Sequence, residues 1–299
     1  MFGSVFTSAT GLLDRRFTVN VLLPVLVWAG GLTALAIGGI GWPAALTWWK
    51  ARAGAEQAWL AVAAVAGVVL LAYVAAGQTM ALTRIWEGYW PRWLARPGVA
   101  VQRRRWQRLD LRTPGGYARR YREFPVDEPD LLPTRLGNVL RAAESYPGDP
   151  ERYGLDAVFF WPRLYLVLPA DAREQVDRCR GALDRAVLTA GLAVLFPVAA
   201  VPVVVWSGGS WRLWLIGAGA AVVVAVLAYR SAVDGALAFG EILRGCFDLH
   251  RLTLLDRFGL VRPETLEGER ALWMALQQQL YRRAADEPEL LRLRPAPDQ

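Results

Sequence analysis

Four stretches of this 299-residue chain carry no charged side chain: Phe17 to Trp49, Gln57 to Thr83, Ala186 to Trp211, and Leu213 to Tyr229. A helix needs roughly 20 apolar residues to cross a hydrocarbon layer about 30 Å thick, and the first three stretches hold 33, 27 and 26. The fourth holds 17, with Trp211 and Trp214 placed to anchor one interface and Arg212 and Arg230 to snorkel at its two ends. These runs predict an all-α, polytopic membrane protein with four transmembrane helices and a helical cytoplasmic domain, the lipid bilayer being its first partner. The first run exceeds the apolar core of a signal peptide, about 7 to 15 residues, and no small-x-small cleavage pattern follows it, so it is expected to stay in the mature chain.

Charge decides the threading. The chain has 34 basic and 27 acidic residues, a net +7, and every basic residue except Lys50 is arginine. Basic residues gather on the cytoplasmic side of membrane helices. The two short connections carry Lys50, Arg52 and Arg212, whereas the opposite flanks carry Arg15, Arg16, Arg84, Arg92, Arg96, Arg173, Arg178, Arg180, Arg185 and Arg230. Both termini and the middle segment are therefore expected on the cytoplasmic face of the cell membrane. The same excess accounts for the basic balance without nucleic acid, since no nucleic-acid-binding module is visible. Cys179 and Cys246 lack the spacing of a zinc site or a disulfide framework.

The resulting organisation is an amphipathic N-terminal helix over 1–17, transmembrane helices 1 and 2 over 18–83, a cytoplasmic helical domain over 84–185, transmembrane helices 3 and 4 over 186–230, and cytoplasmic C-terminal helices with a tail over 231–299. Phe2, Val5, Phe6, Ala9, Leu13 and Phe17 recur at helical spacing, which suits an interfacial anchor or a mobile helix at a pore mouth. Gly30, Ala34 and Gly38 in the first span, and Gly217, Ala221 and Ala225 in the fourth, form small-residue stripes for close helix contact. Pro197 and Pro202 interrupt the third span as a static bend or a hinge.

Between Arg84 and Arg112, eight arginines alternate with Trp86, Tyr89, Trp90, Trp93 and Trp106, a composition suited to lipid headgroups. Glu123 to Asp130, broken by Pro125 and Pro129, reads as a linker. Helices are expected over about Thr134 to Glu144, 170 to 185, Arg230 to Phe258, and Glu264 to Arg283.

No phosphate-binding glycine loop, H-E-x-x-H or nucleophile elbow is present, and His250 is the only histidine. Neither an enzyme nor a cofactor is expected. Three features are candidates for function. Asp234, Glu241 and Asp248 recur every seven residues, with Arg230, Arg244 and Arg251 three or four positions away. That is either an intrahelical ion-pair ladder or, in a symmetric oligomer, a charged lining for a cytoplasmic vestibule. Arg135, Asn138, Arg141 and Glu144, then Tyr153, Asp156, Trp161 and Arg163, form polar-aromatic clusters, read either as a buried salt-bridge network or as a pocket for a small anionic ligand or lipid headgroup. Pro197 and Pro202 are the candidate hinge.

The clusters Pro133-Thr134-Arg135-Leu136-Gly137-Asn138 and Arg152-Tyr153-Gly154-Leu155-Asp156-Ala157, with Trp161-Pro162-Arg163-Leu164, give the chain its most distinctive text. With Leu13-Asp14-Arg15-Arg16-Phe17, Glu87-Gly88-Tyr89, Phe247-Asp248-Leu249 and Glu269-Arg270-Ala271-Leu272-Trp273, the sequence resembles a group of four-span membrane proteins of actinobacteria and cyanobacteria. The resemblance implies the membrane architecture and no particular activity. In topology alone the layout is similar to bestrophins and connexin-like channels, whose motifs are absent. The expected function is a homo-oligomeric channel or pore with a cytoplasmic vestibule. The alternative is a membrane-anchored scaffold or sensor whose cytoplasmic domain binds a ligand or protein partner.

Overall fold

The computed structural model describes residues 17–294. The expected N-terminal helix, apart from Phe17, and the extreme C-terminal tail lie outside them. Among the described residues four-fifths are helical and no strand occurs. Ten α-helices follow in order among these residues: α1 Leu23–Ile40, entered through a π-helical turn Thr18–Leu22, α2 Trp42–Lys50, α3 Gly54–Glu87, α4 Arg92–Gln107, α5 Pro114–Glu123, α6 Arg135–Ser145, α7 Ala157–Val167, α8 Ala170–Trp206, α9 Trp211–Arg257 and α10 Leu266–Arg282.

The chain divides into two compact units, and α8 and α9 contribute residues to both. The first comprises 17–85 and Gly181–Gly235. Four helical segments are long and apolar enough to cross a bilayer: Thr18–Ile40, Gly54–Glu87, Ala170–Trp206 and Trp211–Arg257. The first apolar run is not one continuous span. It breaks at Gly41, whose φ of 91° is cheap only without a Cβ, and its last residues form the separate helix α2. Pro197 and Pro202, by contrast, lie within α8, one helix of 37 residues. Trp214 donates its indole N–H to the Pro197 carbonyl at 3.0 Å. Threonines on these helices satisfy their hydroxyls locally, as Thr33 does on Ala29 O and Thr83 on Thr79 O, both at 2.9 Å.

The small-residue seam of this unit keeps Gly38 and Gly217 of the expected stripes, leaves Gly30 off it and adds Gly31 and Gly39. A Cβ on Gly30 would meet open space, whereas one on Gly31 would lie 3.0 Å from Phe196, and one on Gly39 would overlap Ser207. Gly38 faces Leu213, and Gly217 faces Leu35 and Phe196. Large side chains of one helix thus fill the grooves left by glycines of another, and it is this pairing that sets the register.

The second unit comprises Trp86–Arg180 and 236–294. Its core joins Leu136, Leu155, Phe160, Leu164, Phe247, Leu255 and Trp273, all fully buried. Phe160 meets Trp273 edge-on at 5.0 Å. Three of its helices start on the same device. Thr113, Thr134 and Thr265 each accept the amide of a glycine three residues later, at 3.1, 3.0 and 3.1 Å. Thr134 also donates its hydroxyl to the Glu87 carbonyl at 2.8 Å, and Pro133 nests where Gly88 and Gly98 lack side chains. Gly259, at φ 72°, ends α9, and Leu260 then bridges to Leu293.

Candidate functional site

The stretch expected as a linker is instead clamped by arginines. Glu123, nearly buried, receives Arg119 at 3.1 Å and Arg135 at 3.2 Å, with Arg105 at 4.0 Å. Glu128 pairs with Arg103 at 2.7 Å and Asp130 with Arg141 at 3.2 Å. Its prolines do prevent a regular helix, but Glu123, Glu128 and Asp130 tie the strap to arginines of neighbouring helices, while Asp127 stays exposed.

The expected network of Arg135, Arg141, Glu144, Asp156 and Arg163 does not form as one cluster. Arg135 goes to Glu123, while Arg141 bridges Asp130 and Glu144, the latter at 3.7 Å. Burial pushes the Glu144 carboxyl up, against the pull of Arg141. Asp156 caps α7, accepting the Phe159 amide at 3.1 Å, and also faces the Gln277 amide at 3.3 Å. Arg163 turns back on its own helix, donating to Phe159 O at 2.7 Å with its guanidinium over the Phe159 ring. Asn138, fully buried, makes three hydrogen bonds of 2.8 Å to the Leu132 amide, the Leu132 carbonyl and the Thr134 carbonyl, and so fixes the approach to α6. Trp161 packs beside Tyr165 and Phe247.

The ladder on α9 is largely replaced by contacts with other helices. Asp234 is exposed on the segment belonging to the first unit. Glu241 pairs with Arg122 at 2.9 Å as well as with Arg244 at 3.3 Å. Asp248 accepts the phenols of Tyr146, at 3.0 Å, and Tyr153, at 2.9 Å. Arg251 gives its side chain to Glu269 at 2.7 Å, donates to the Asp248 backbone carbonyl, and lies over the Tyr153 ring. The seven-residue spacing holds, but long arginine and tyrosine side chains reach partners that single-helix geometry does not reveal.

The polar centre of this unit is Arg244, only 2% exposed. It donates to the Tyr121 carbonyl at 3.0 Å and sits 4.5 Å from the Tyr121 ring centre and 5.8 Å from that of Tyr146. Arg152 lies 4.3 Å over the other ring of this pair, Tyr146, and pairs with Asp149 at 3.5 Å. Glu269 closes the chain of contacts by accepting the Trp273 indole at 3.2 Å. Burial raises the phenols of Tyr121, Tyr146 and Tyr153, and the Asp248 carboxylate adds to the rise at Tyr146 and Tyr153. Sequence did carry one signal for Arg244: it interrupts the apolar stripe of Ala236, Leu243 and Phe247. Nothing local pointed to Tyr121 or Tyr146.

Against this centre lies a cavity of about 200 Å³, walled by Tyr117, Tyr121, Tyr146, Phe124 and Val126 and edged by Arg120, Arg152 and Asp149. Arg120 stacks 3.8 Å over Trp106 and donates to Val126 O at 3.2 Å, which holds its charge beside the opening. Two guanidiniums against one carboxylate leave the rim positive, and the rings offer flat apolar contact. Such a pocket can hold a small anion with a planar body. Among the described residues no group of three His, Cys, Asp or Glu side chains is placed to hold a metal ion. No protein-family model, curated protein or solved structure matches this chain.

Proposed function

We propose that the chain is a multi-pass protein of the cell membrane whose second unit is a cytoplasmic sensor for a small planar anion, bound between Arg120, Arg152 and the Tyr117, Tyr121 and Tyr146 rings. The observation that carries this reading is the positive-rimmed, aromatic-walled cavity. The arginine-rich flanks support a cytoplasmic placement. Calorimetric titration of the nanodisc-embedded chain with adenosine monophosphate and with benzoate tests it. The expected result is saturable binding of at least one of them, weakened about tenfold in Arg152→Gln, the usual scale for losing one charge-assisted hydrogen bond. Absence of binding by both overturns the pocket.

A channel is the second reading, favoured by one observation: α9 runs unbroken for 47 residues from the apolar run into the second unit and exposes Asp234 along the way. In this reading several copies bring α9 together around an axis. Glu241 and Asp248 are already engaged by Arg122, Arg244, Tyr146 and Tyr153, so Asp234 is the acid left to line a conduit. A particle mass of four or more subunits with single-channel currents altered by Asp234→Asn supports the channel, and a silent monomer or dimer removes it.

A further inference from the structure

We propose that the outward face of α4 binds the anionic headgroups of the bilayer. Residues of α4 that turn inward follow helical spacing: Ala95, Gly98, Val99, Gln102, Arg105 and Trp106 are buried or half-buried. Gly98 lies against Pro133, Arg105 faces Glu123 at 4.0 Å, and Gln102 is buried. The opposite face presents Trp93, 73% exposed, with Arg96, Pro97, Ala100, Arg104 and Arg108, all exposed. Among the described residues Arg92, Arg96, Arg104 and Arg108 have no ion-pair partner, whereas Arg103, turned toward the strap, pairs with Glu128.

This combination is chemically specific. An exposed tryptophan with proline and alanine beside it has an apolar body suited to the level of the headgroups, and the unpaired guanidiniums that flank it are the chemistry that meets lipid phosphates. A nucleic-acid surface would use the same charge, but α4 begins five positions after the long apolar helix α3 ends, so its nearest dense array of phosphates is the membrane's own. The proposal rests on the multi-pass reading and does not depend on the ligand pocket.

Native mass spectrometry of the full chain, purified in uncharged detergent and titrated with dioleoyl phosphatidylglycerol or dioleoyl phosphatidylcholine, tests the face directly. The wild-type chain is expected to retain the anionic lipid in preference. The Arg92→Gln, Arg96→Gln, Arg104→Gln, Arg108→Gln variant is expected to lose most of that preference. Because all four residues are exposed, its circular dichroism melt should match the wild type. Trp93→Ala, which keeps every charge, should shorten lipid retention without abolishing the preference. Equal preference in the wild type and the fourfold variant overturns the proposal. So does a variant whose lipid preference is intact while single-stranded RNA binding is lost. A chain recovered in the soluble fraction without detergent fails the multi-pass reading itself, an outcome separate from a membrane chain that merely lacks lipid preference.

Discussion

The two units differ in what holds their buried side chains, although each leaves some large apolar residues exposed, Leu166 and Leu249 of the second among them. In the first, large aliphatic and aromatic residues face outward: Val205 is 77% exposed, and Val198, Trp206 and Ile216 are also among the most exposed large apolar residues. In the second, the large apolar residues Phe160, Phe247 and Trp273 are fully buried, and charged side chains are matched by name, Glu123 to Arg119 and Arg135, Glu269 to Arg251. A surface as apolar as the first unit's is stable where its surroundings are lipid, because there is then no hydrophobic penalty for exposure. The difference teaches that the two units are held together by different forces, glycine-to-side-chain fit in one and an apolar core pinned by arginine, tyrosine and carboxylate contacts in the other.

The largest test of that contrast compares Trp273→Ala with Val205→Ala. Emptying the fully buried Trp273 site should cost the second unit about 3–5 kcal/mol of opening free energy, read by hydrogen exchange across α10. Removing methyls from Val205 should change its helix by no more than about 0.5 kcal/mol. Equal costs would mean that the exposed face of the first unit is packed against protein, and the comparison would break.

A smaller effect separates the two glycine registers. Gly39→Leu drives a side chain into Ser207 and toward the Gly209 backbone, and should destabilise the first unit by about 1–3 kcal/mol in the same measurement. Gly30→Leu enters open space and should stay within about 0.5 kcal/mol. If Gly30 proves the sensitive position, the packing register described above is wrong.

The smallest effect is a pH dependence confined to the second unit. With the phenols of Tyr121, Tyr146 and Tyr153 raised above their ordinary value near 10, the unfolded chain releases protons that the folded unit keeps. The stability they contribute is whole below pH of about 10 and declines as pH rises beyond it. Hydrogen exchange in α6 and α9, with rates corrected for pH, should show that decline, and Tyr146→Phe should flatten it. An identical slope in Tyr146→Phe would remove the tyrosine cluster as its source.

Some of this was legible along the chain. The helices from Arg135, Ala170 and Leu266 begin close to the expected positions because Thr134, Pro169 and Thr265 are local start signals, and α9 continues past Arg230 because its helical period never breaks. The break at Gly41 was not legible, since a glycine inside an apolar run fits a continuous helix equally well until its φ is known. The candidate-site residues divide similarly. Asp156 and Asn138 work over a few positions, but the partners of Asp248 lie 95 and 102 positions away.

The sequence by itself determined the helical class, the four apolar segments and the asymmetry of arginine, because hydropathy and charge act residue by residue on the surrounding solvent. Only the tertiary structure decided that Asp248 faces two tyrosines, that Arg244 lies buried between aromatic rings, and that Gly31 and Gly39 rather than Gly30 admit a neighbour. Those outcomes depend on which faces of distant helices meet, and a hydrogen bond or a steric fit of a few ångströms is set by that meeting and not by spacing along the chain.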